Sequence, residues 1–143
     1  MARVEQDAGW RSMIDSSRPA PENSAAGAIA CAASQVGHTI GARAIVAFTA
    51  SGSTALRVAR ERPASPVIGL TPLLDTARRM AVIWGVHAVV VPEVHSMSEA
   101  VTRAARVTLT EGFAARGDEI VVTAGVPFGQ AGTTNALRVA TVK

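Results

Sequence analysis

A chain of 143 residues is long enough for one domain with its own core, and 48% of it is hydrophobic. Aromatics make up only 3% and tyrosine is absent, so the core has to be built from Ala, Val, Ile and Leu, which suits tightly packed α/β layers. The formal net charge of +3 rests on 14 basic residues, all arginine except Lys143, and they are scattered with no run longer than Arg78-Arg79 and no interleaved aromatics to stack bases. That spacing argues against nucleic acid as a partner. Cys31 is the single cysteine, which excludes an internal disulfide and a CxxC metal motif and leaves the role of a small buried hydrophobe. The opening "MARVEQDAGW" has no apolar stretch of the signal-peptide kind, and no apolar run approaches a membrane span, so a cytoplasmic protein without a membrane partner is expected.

In chain order, residues 1–22 hold acids, arginines, Trp10 and the prolines of "SRPAPEN", and read as a short helix at most and then a linker. The globular pattern starts at Asn23. "NSAAGAIACAASQVGHTIG" has helical spacing, an Asn or Ser cap in front and Gly41 behind. "AIVAF" (Ala44–Phe48) is a short, wholly apolar run, the mark of a strand buried on both faces. "STALRVARERP" (Ser53–Pro63) predicts a helix that stops before Pro63, and "PVIGLT" (Pro66–Thr71) a second buried strand. "PLLDTARRMAVIWG" (Pro72–Gly85) predicts a helix with Pro at its start, Gly at its end and Trp84 as core at that end. "HAVVV" (His87–Val91) is a third strand. In "SMSEAVTRAARVTLTEG" (Ser96–Gly112), Ser96 and Glu99 have capping-box spacing and Gly112 closes the helix. "EIVVTAG" (Glu119–Gly125) and the alternating "NALRVATV" (Asn135–Val142) complete five strands.

Strands alternating with helices mean a parallel sheet covered on both faces. The last two strands are only about ten residues apart, too few for a parallel crossover, so the fifth is expected antiparallel at an edge. Open α/β sheets bind ligands beyond the carboxyl ends of their strands. Two loops qualify. "TASGST" (Thr49–Thr54) follows the first strand and opens a helix; its N–H groups, expected to face outward unpaired, the helix dipole, Gly52 and four hydroxyls make a phosphate cradle that lacks only a cation. "GVPFGQAGTTN" (Gly125–Asn135) follows the fourth strand and is rich in glycine and hydroxyls. An ordinary helix cap is the other reading of the first loop, since GxxxxGK[ST], GxGxxG and GxSxG are all absent.

Catalytic constellations are lacking in the sequence. His38 reads as a surface or interface residue, and neither His87 nor His95 has a carboxylate at a telling spacing. There is no HExxH, paired-acid or Cys–His pattern, and caps and turns account for Asp75, Glu93 and Asp118.

"AIVAFTASGSTALRVARERPASPVIGLTP", "ARRMAVIWGVHAVVV" and "GDEIVVTAGVPFGQAGTTNALRV", in this order, closely resemble the C-terminal domain of bacterial pyruvate kinases, from about Asn23 to the end. "MARVEQDAGWR" is similar to the end of that enzyme's last barrel helix, which divides the chain into a remnant and linker at 1–22 and an α/β domain at 23–143. The resemblance implies a three-layer α/β/α fold whose five-stranded mixed sheet has the order 3-2-1-4-5, the last strand antiparallel. The family enzyme of glycolysis transfers a phosphoryl group from phosphoenolpyruvate to ADP with Mg²⁺ and usually K⁺, all on the barrel. This chain alone is therefore expected to be inert and to have no cofactor of its own. In the family the C-terminal domain carries the allosteric effector site and one subunit interface of a tetramer. The effector's phosphate would rest on Thr49, Ala50, Ser51, Gly52, Ser53 and Thr54, and Gly129, Gln130, Ala131, Gly132, Thr133 and Thr134 would close over its sugar.

Members activated by fructose 1,6-bisphosphate carry an insert with Trp and Arg before the fourth helix. Here the stretch is "PEVHSMSEAVTRAA", with Ala100 where that Arg would align and Arg103 or Arg106 as possible substitutes. The expected partners are a monophosphate, such as AMP, ribose 5-phosphate or glucose 6-phosphate, and further copies of the chain, as a dimer alone and a tetramer in the parent enzyme. Two other readings stay open: a purely structural assembly domain, with the edge strand pairing with its symmetry mate, and a stand-alone module that binds or transforms a small phosphorylated ligand.

Overall fold

Ser24 sits in extended backbone and its side chain accepts the Gly27 N–H at 3.0 Å, which starts helix α1 (Ala25–Ile40) where the sequence placed a cap. Gly41 ends it in the left-handed conformation, φ 65°, its N–H returned to the carbonyls of Gly37 and His38. A computed structural model describes residues 24–126, 128 and 134–143, so the helix remnant and linker expected at 1–22 lie outside the described residues. After α1 come β1 (Ile45–Phe48), α2 (Ser53–Arg60), β2 (Val67–Thr71), α3 (Leu74–Met80), β3 (Val86–Val90), α4 (Met97–Thr110), β4 (Glu119–Gly125) and β5 (Thr134–Thr141).

The five strands form one sheet in the order β3-β2-β1-β4-β5. β1 pairs in parallel with β2 (Ile45 opposite Val67) and with β4 (Ile45 opposite Val121), and β2 pairs in parallel with β3. β5 runs antiparallel along β4, with a register shift at Ala124/Gly125, so it is the edge strand that the short connection required. Side chains alternate across the sheet. Val46, Phe48, Ile68, Leu70, Ile120 and Val122 face one way, onto Ala100 and Ala104 of α4. Ile45, Val67 and Val121 face the other way, onto Ala30 and Ala33 of α1 and Val58 of α2, with Ala47 against Ala55 and Met80 beside them. Each fully buried Val or Ile here is worth about 1.5–3 kcal/mol relative to exposure. α-Helices on both faces make the expected three layers. The chain steps outward from β1 to β3 with α2 and α3 on one face. It then returns beside β1 with α4 on the other, as right-handed crossovers demand.

α4 carries the predicted start signal: Ser96 Oγ accepts the Glu99 N–H at 3.1 Å, and Glu99 Oε2 reaches back to the His95 N–H at 3.1 Å. The third helix departs from expectation. It begins two residues after Pro72, because the Thr71 hydroxyl takes the Leu73 N–H at 3.2 Å and holds the chain extended there. It ends at Met80, and turns carry the chain through Ile83 to a left-handed Gly85, φ 83°. Only one side of this short helix is apolar enough to dock, and Val82 beyond it is 85% exposed. Trp84 is consequently not core: it is 54% exposed, and the Arg62 guanidinium lies 5.3 Å from its ring centroid. Cys31 is half-buried rather than fully enclosed. His87, on edge strand β3, does have a carboxylate neighbour, Glu111 Oε2 at 3.7 Å, and its ring lies 5.1 Å from Phe113. No helix among the described residues is long and apolar enough to cross a membrane.

Candidate functional site

β1 ends where Thr49 gives its N–H to Leu70 of β2 (3.0 Å) and the chain leaves the sheet. Thr49 is buried, and its Oγ1 accepts the Gly52 N–H at 2.8 Å, folding the loop back on itself. Gly52 has φ 91°, and a Cβ there would lie 3.3 Å from Met80 Cγ, so both backbone angle and packing call for glycine. Ser51 Oγ accepts the Ser53 N–H at 3.3 Å and donates to Ser53 Oγ at 2.9 Å. The loop's N–H groups are therefore not all unpaired, contrary to the expectation from the sequence: short hydroxyls take two of them locally. The N–H groups of Ala50, Ser51 and Thr54 have no partner among the described residues, and they lie at the positive end of α2.

The loop is braced from behind. Thr76 of α3 donates its hydroxyl to the Ala50 carbonyl at 2.8 Å, and Arg79 Nη2 donates to that hydroxyl at 3.0 Å. Arg79 is thus a cation one side chain removed from the loop. Nothing in the sequence marked it, because α2, β2 and about a turn and a half of α3 separate it from "TASGST".

The second loop meets the first at its far end. Thr54 and Thr134, both buried, share a hydrogen bond between their hydroxyls. Asn135 clips the loop's base, accepting the Val126 N–H at 2.9 Å and donating to the Val126 carbonyl at 2.7 Å. Phe128 packs edge-on against Phe48, with centroids 6.4 Å apart and planes at 89°. Gly129, Gln130, Ala131, Gly132 and Thr133 lie outside the described residues.

Between these parts lies a cleft of about 60 Å³ beyond the carboxyl ends of β1 to β4. Thr49, Ala50, Thr54 and Thr134 form its polar side. Phe48, Leu70 and Phe128 form an apolar floor, and Pro92, Glu93 and Val94 its far wall. This is the point where the strand order reverses, between β1 and β4. Ser51 and Ser53 sit on the outer lip instead, exposed and half-exposed. Glu93 is the one titratable side chain among the described lining residues, and the described residues hold no cluster of three or more His, Cys, Asp or Glu able to grip a metal. Hydroxyls and N–H groups at one end and an apolar floor suit binding of an anion with an organic body.

The sequence profile of the family "Pyruvate kinase, alpha/beta domain" matches residues 27–140. Pyruvate kinase of Methylorubrum extorquens is 45% identical over 140 residues, covering 98% of this chain and 29% of that protein. A pyruvate kinase of Agrobacterium vitis is 39% identical over 137 residues, again 29% of its length. A crystal structure of a Cryptosporidium parvum pyruvate kinase superposes with a TM-score of 0.78 at 26% identity, over 92% of this chain and 25% of that one. The chain thus spans less than a third of the relatives it matches. On sequence and fold together, it belongs to the pyruvate kinase α/β-domain family.

Proposed function

We propose that this chain is the regulatory part of a pyruvate kinase, which binds a phosphorylated effector in the cleft and contributes a subunit contact to the parent tetramer. The observation that carries this reading is the meeting of the Thr49–Thr54 loop with Thr134 at the strand switch point, with unpartnered N–H groups at a helix N-terminus. The effector's phosphate would take those N–H groups and the nearby hydroxyls, with Arg79 supplying positive potential through Thr76. Phosphoryl transfer itself would belong to the remainder of the parent enzyme. The Mg²⁺ it requires has no carboxylate cluster to hold it among the described residues. Regulation would follow by population shift: an effector bound better in one subunit arrangement favours that arrangement. Edge strand β5, with Val139 41% exposed, is the surface on which subunits would meet.

The test is calorimetric titration at fixed salt with AMP, ribose 5-phosphate and glucose 6-phosphate, on the wild type and on Ser53→Asp. Ser53 is the first residue of α2, where a carboxylate is favourable to the helix yet repels a phosphate. Saturable binding that vanishes in the variant while its far-UV circular dichroism is unchanged supports the reading. Unchanged affinity removes the loop from the site. Absence of any binding, with concentration-dependent association, favours the assembly role alone.

A further inference from the structure

We infer that Thr76 is a positioning residue for the Thr49–Thr54 loop: its hydroxyl, backed by Arg79, fixes the Ala50–Ser51 peptide so that the Ser51 N–H is presented to a bound anion. The inference rests on the reading of that loop as a phosphate site. A helical threonine ordinarily turns its hydroxyl back onto its own helix. Thr102 does so in α4, donating to the Ser98 carbonyl at 3.1 Å, and Thr108 donates to the Ala104 carbonyl at 3.0 Å. Thr76 instead donates across 26 residues of sequence to the Ala50 carbonyl at 2.8 Å.

Arg79 favours this arrangement. Its Nη2 donates to Thr76 Oγ1 at 3.0 Å, so a cation faces the acceptor side of the hydroxyl and the single proton is left for the loop. Thr76 is 1% exposed, which keeps water from competing for the bond. Its methyl reaches the loop as well: a Cβ at Gly52 would lie 3.8 Å from Thr76 Cγ2. Thr76 thus meets the loop with both branches of its side chain.

A trans peptide is planar, with its C=O and N–H pointing in opposite directions. Drawing the Ala50 carbonyl toward α3 therefore sends the Ser51 N–H away from α3. α3 lies on the α2 side of the sheet, with Met80 against Ala47 and Ala55. The cleft opens on the α4 side, where Phe48, Leu70 and Val94 line it. The Ser51 N–H is thus turned from the braced side of the loop toward the side of the ligand. The next two N–H groups, of Gly52 and Ser53, cannot replace it, because Thr49 Oγ1 and Ser51 Oγ already engage them. A donor fixed before binding spares the cost of ordering it when the anion arrives.

The experiment titrates the isotope-labelled full chain with inorganic phosphate and ribose 5-phosphate, following the amide protons of Ser51 and Thr54 by NMR. Wild type, Thr76→Val, Thr76→Ser and Arg79→Met are compared. Both amides of the wild type are expected to move downfield to saturation. Thr76→Val keeps the shape and loses the hydroxyl; it is expected to bind about tenfold more weakly and to lose the Ser51 shift at saturation, with that of Thr54 kept. Thr76→Ser, which lacks the methyl but has the hydroxyl, restores both affinity and the Ser51 shift. Arg79→Met alters an exposed side chain and carries the test should Thr76→Val not fold; it shrinks the saturated Ser51 shift and spares that of Thr54. If these variants weaken binding but leave the ratio of the two saturated shifts at its wild-type value, Thr76 and Arg79 act only through stability or charge, and the inference is overturned while the phosphate loop stands. A Thr76→Ser protein that does not regain the Ser51 shift also overturns it, because methyl packing then sets the loop. If Ser53→Asp leaves binding intact, or the wild type binds neither phosphate, the loop reading and this one fall together.

Discussion

The hydroxyls of Thr54 and Thr134, 80 residues apart in sequence, are hydrogen-bonded to each other in the interior. Thr54 lies in the first turn of α2 and Thr134 is the first residue of β5, so this one contact ties the helix that faces the cleft to the edge strand. Their exposures of 5% and 3% leave little access for water to replace a lost partner.

Replacing either threonine by valine keeps the shape and strands the other hydroxyl. Each single variant is expected to lose about 1–3 kcal/mol of stability. The double variant should lose less than the sum, since it leaves neither hydroxyl unpaired. Urea unfolding of all four proteins measures this coupling, and strictly additive losses would show that the pair does not act as a unit.

Gly69 sits in the middle of β2 because α3 packs directly on it. A Cβ there would lie 2.5 Å from Met80 Sδ, 3.0 Å from Met80 Cε and 3.5 Å from the Ala55 Cβ. Met80 is wholly enclosed, so its flexible end has nowhere to go. Gly69→Ala should therefore destabilise by roughly 1–3 kcal/mol. Shortening the obstacle in Gly69→Ala/Met80→Val should recover part of that loss relative to the Met80→Val background. Thermal melts decide it, and an equal penalty in both backgrounds would rule out the Met80 clash as its source.

Trp84→Ala should have a small effect. A core tryptophan would lose about 3–5 kcal/mol on truncation. An exposed one under a single guanidinium contact, here Arg62, should lose roughly 1 kcal/mol or less. A loss near the core value in chemical denaturation would mean that Trp84 is covered in solution, by another copy of the chain or by residues outside the described part.

How far the sequence could be read depends on how local each cause is. Ser24, Gly41, Ser96 and Gly112 were legible because a cap acts within a turn of its own residue. The third helix was misjudged because two signals conflicted. Pro72 and Gly85 framed a long helix, but the Thr71 hydroxyl delays its start to Leu74 and turns replace it after Met80, which leaves seven residues. The phosphate-loop candidate was visible as composition, yet its internal pairing by Thr49 and Ser51 was not, since loop hydroxyls can bond inward or to a ligand. Arg79 was missed for lack of any spacing rule that links a helix surface to a loop one strand away.

By itself the sequence determined the α/β class, the alternation of elements and the antiparallel edge, because periodicity, caps and connection length are properties of short segments. Its motifs were distinctive enough to mark the family. Only the tertiary structure decided which residues share the cleft. Strand order puts the end of β1 beside that of β4, brings Thr134 to Thr54, and sets Glu93 across two strands from the loop. Such contacts depend on how the sheet is wound, and no segment of the chain encodes them alone.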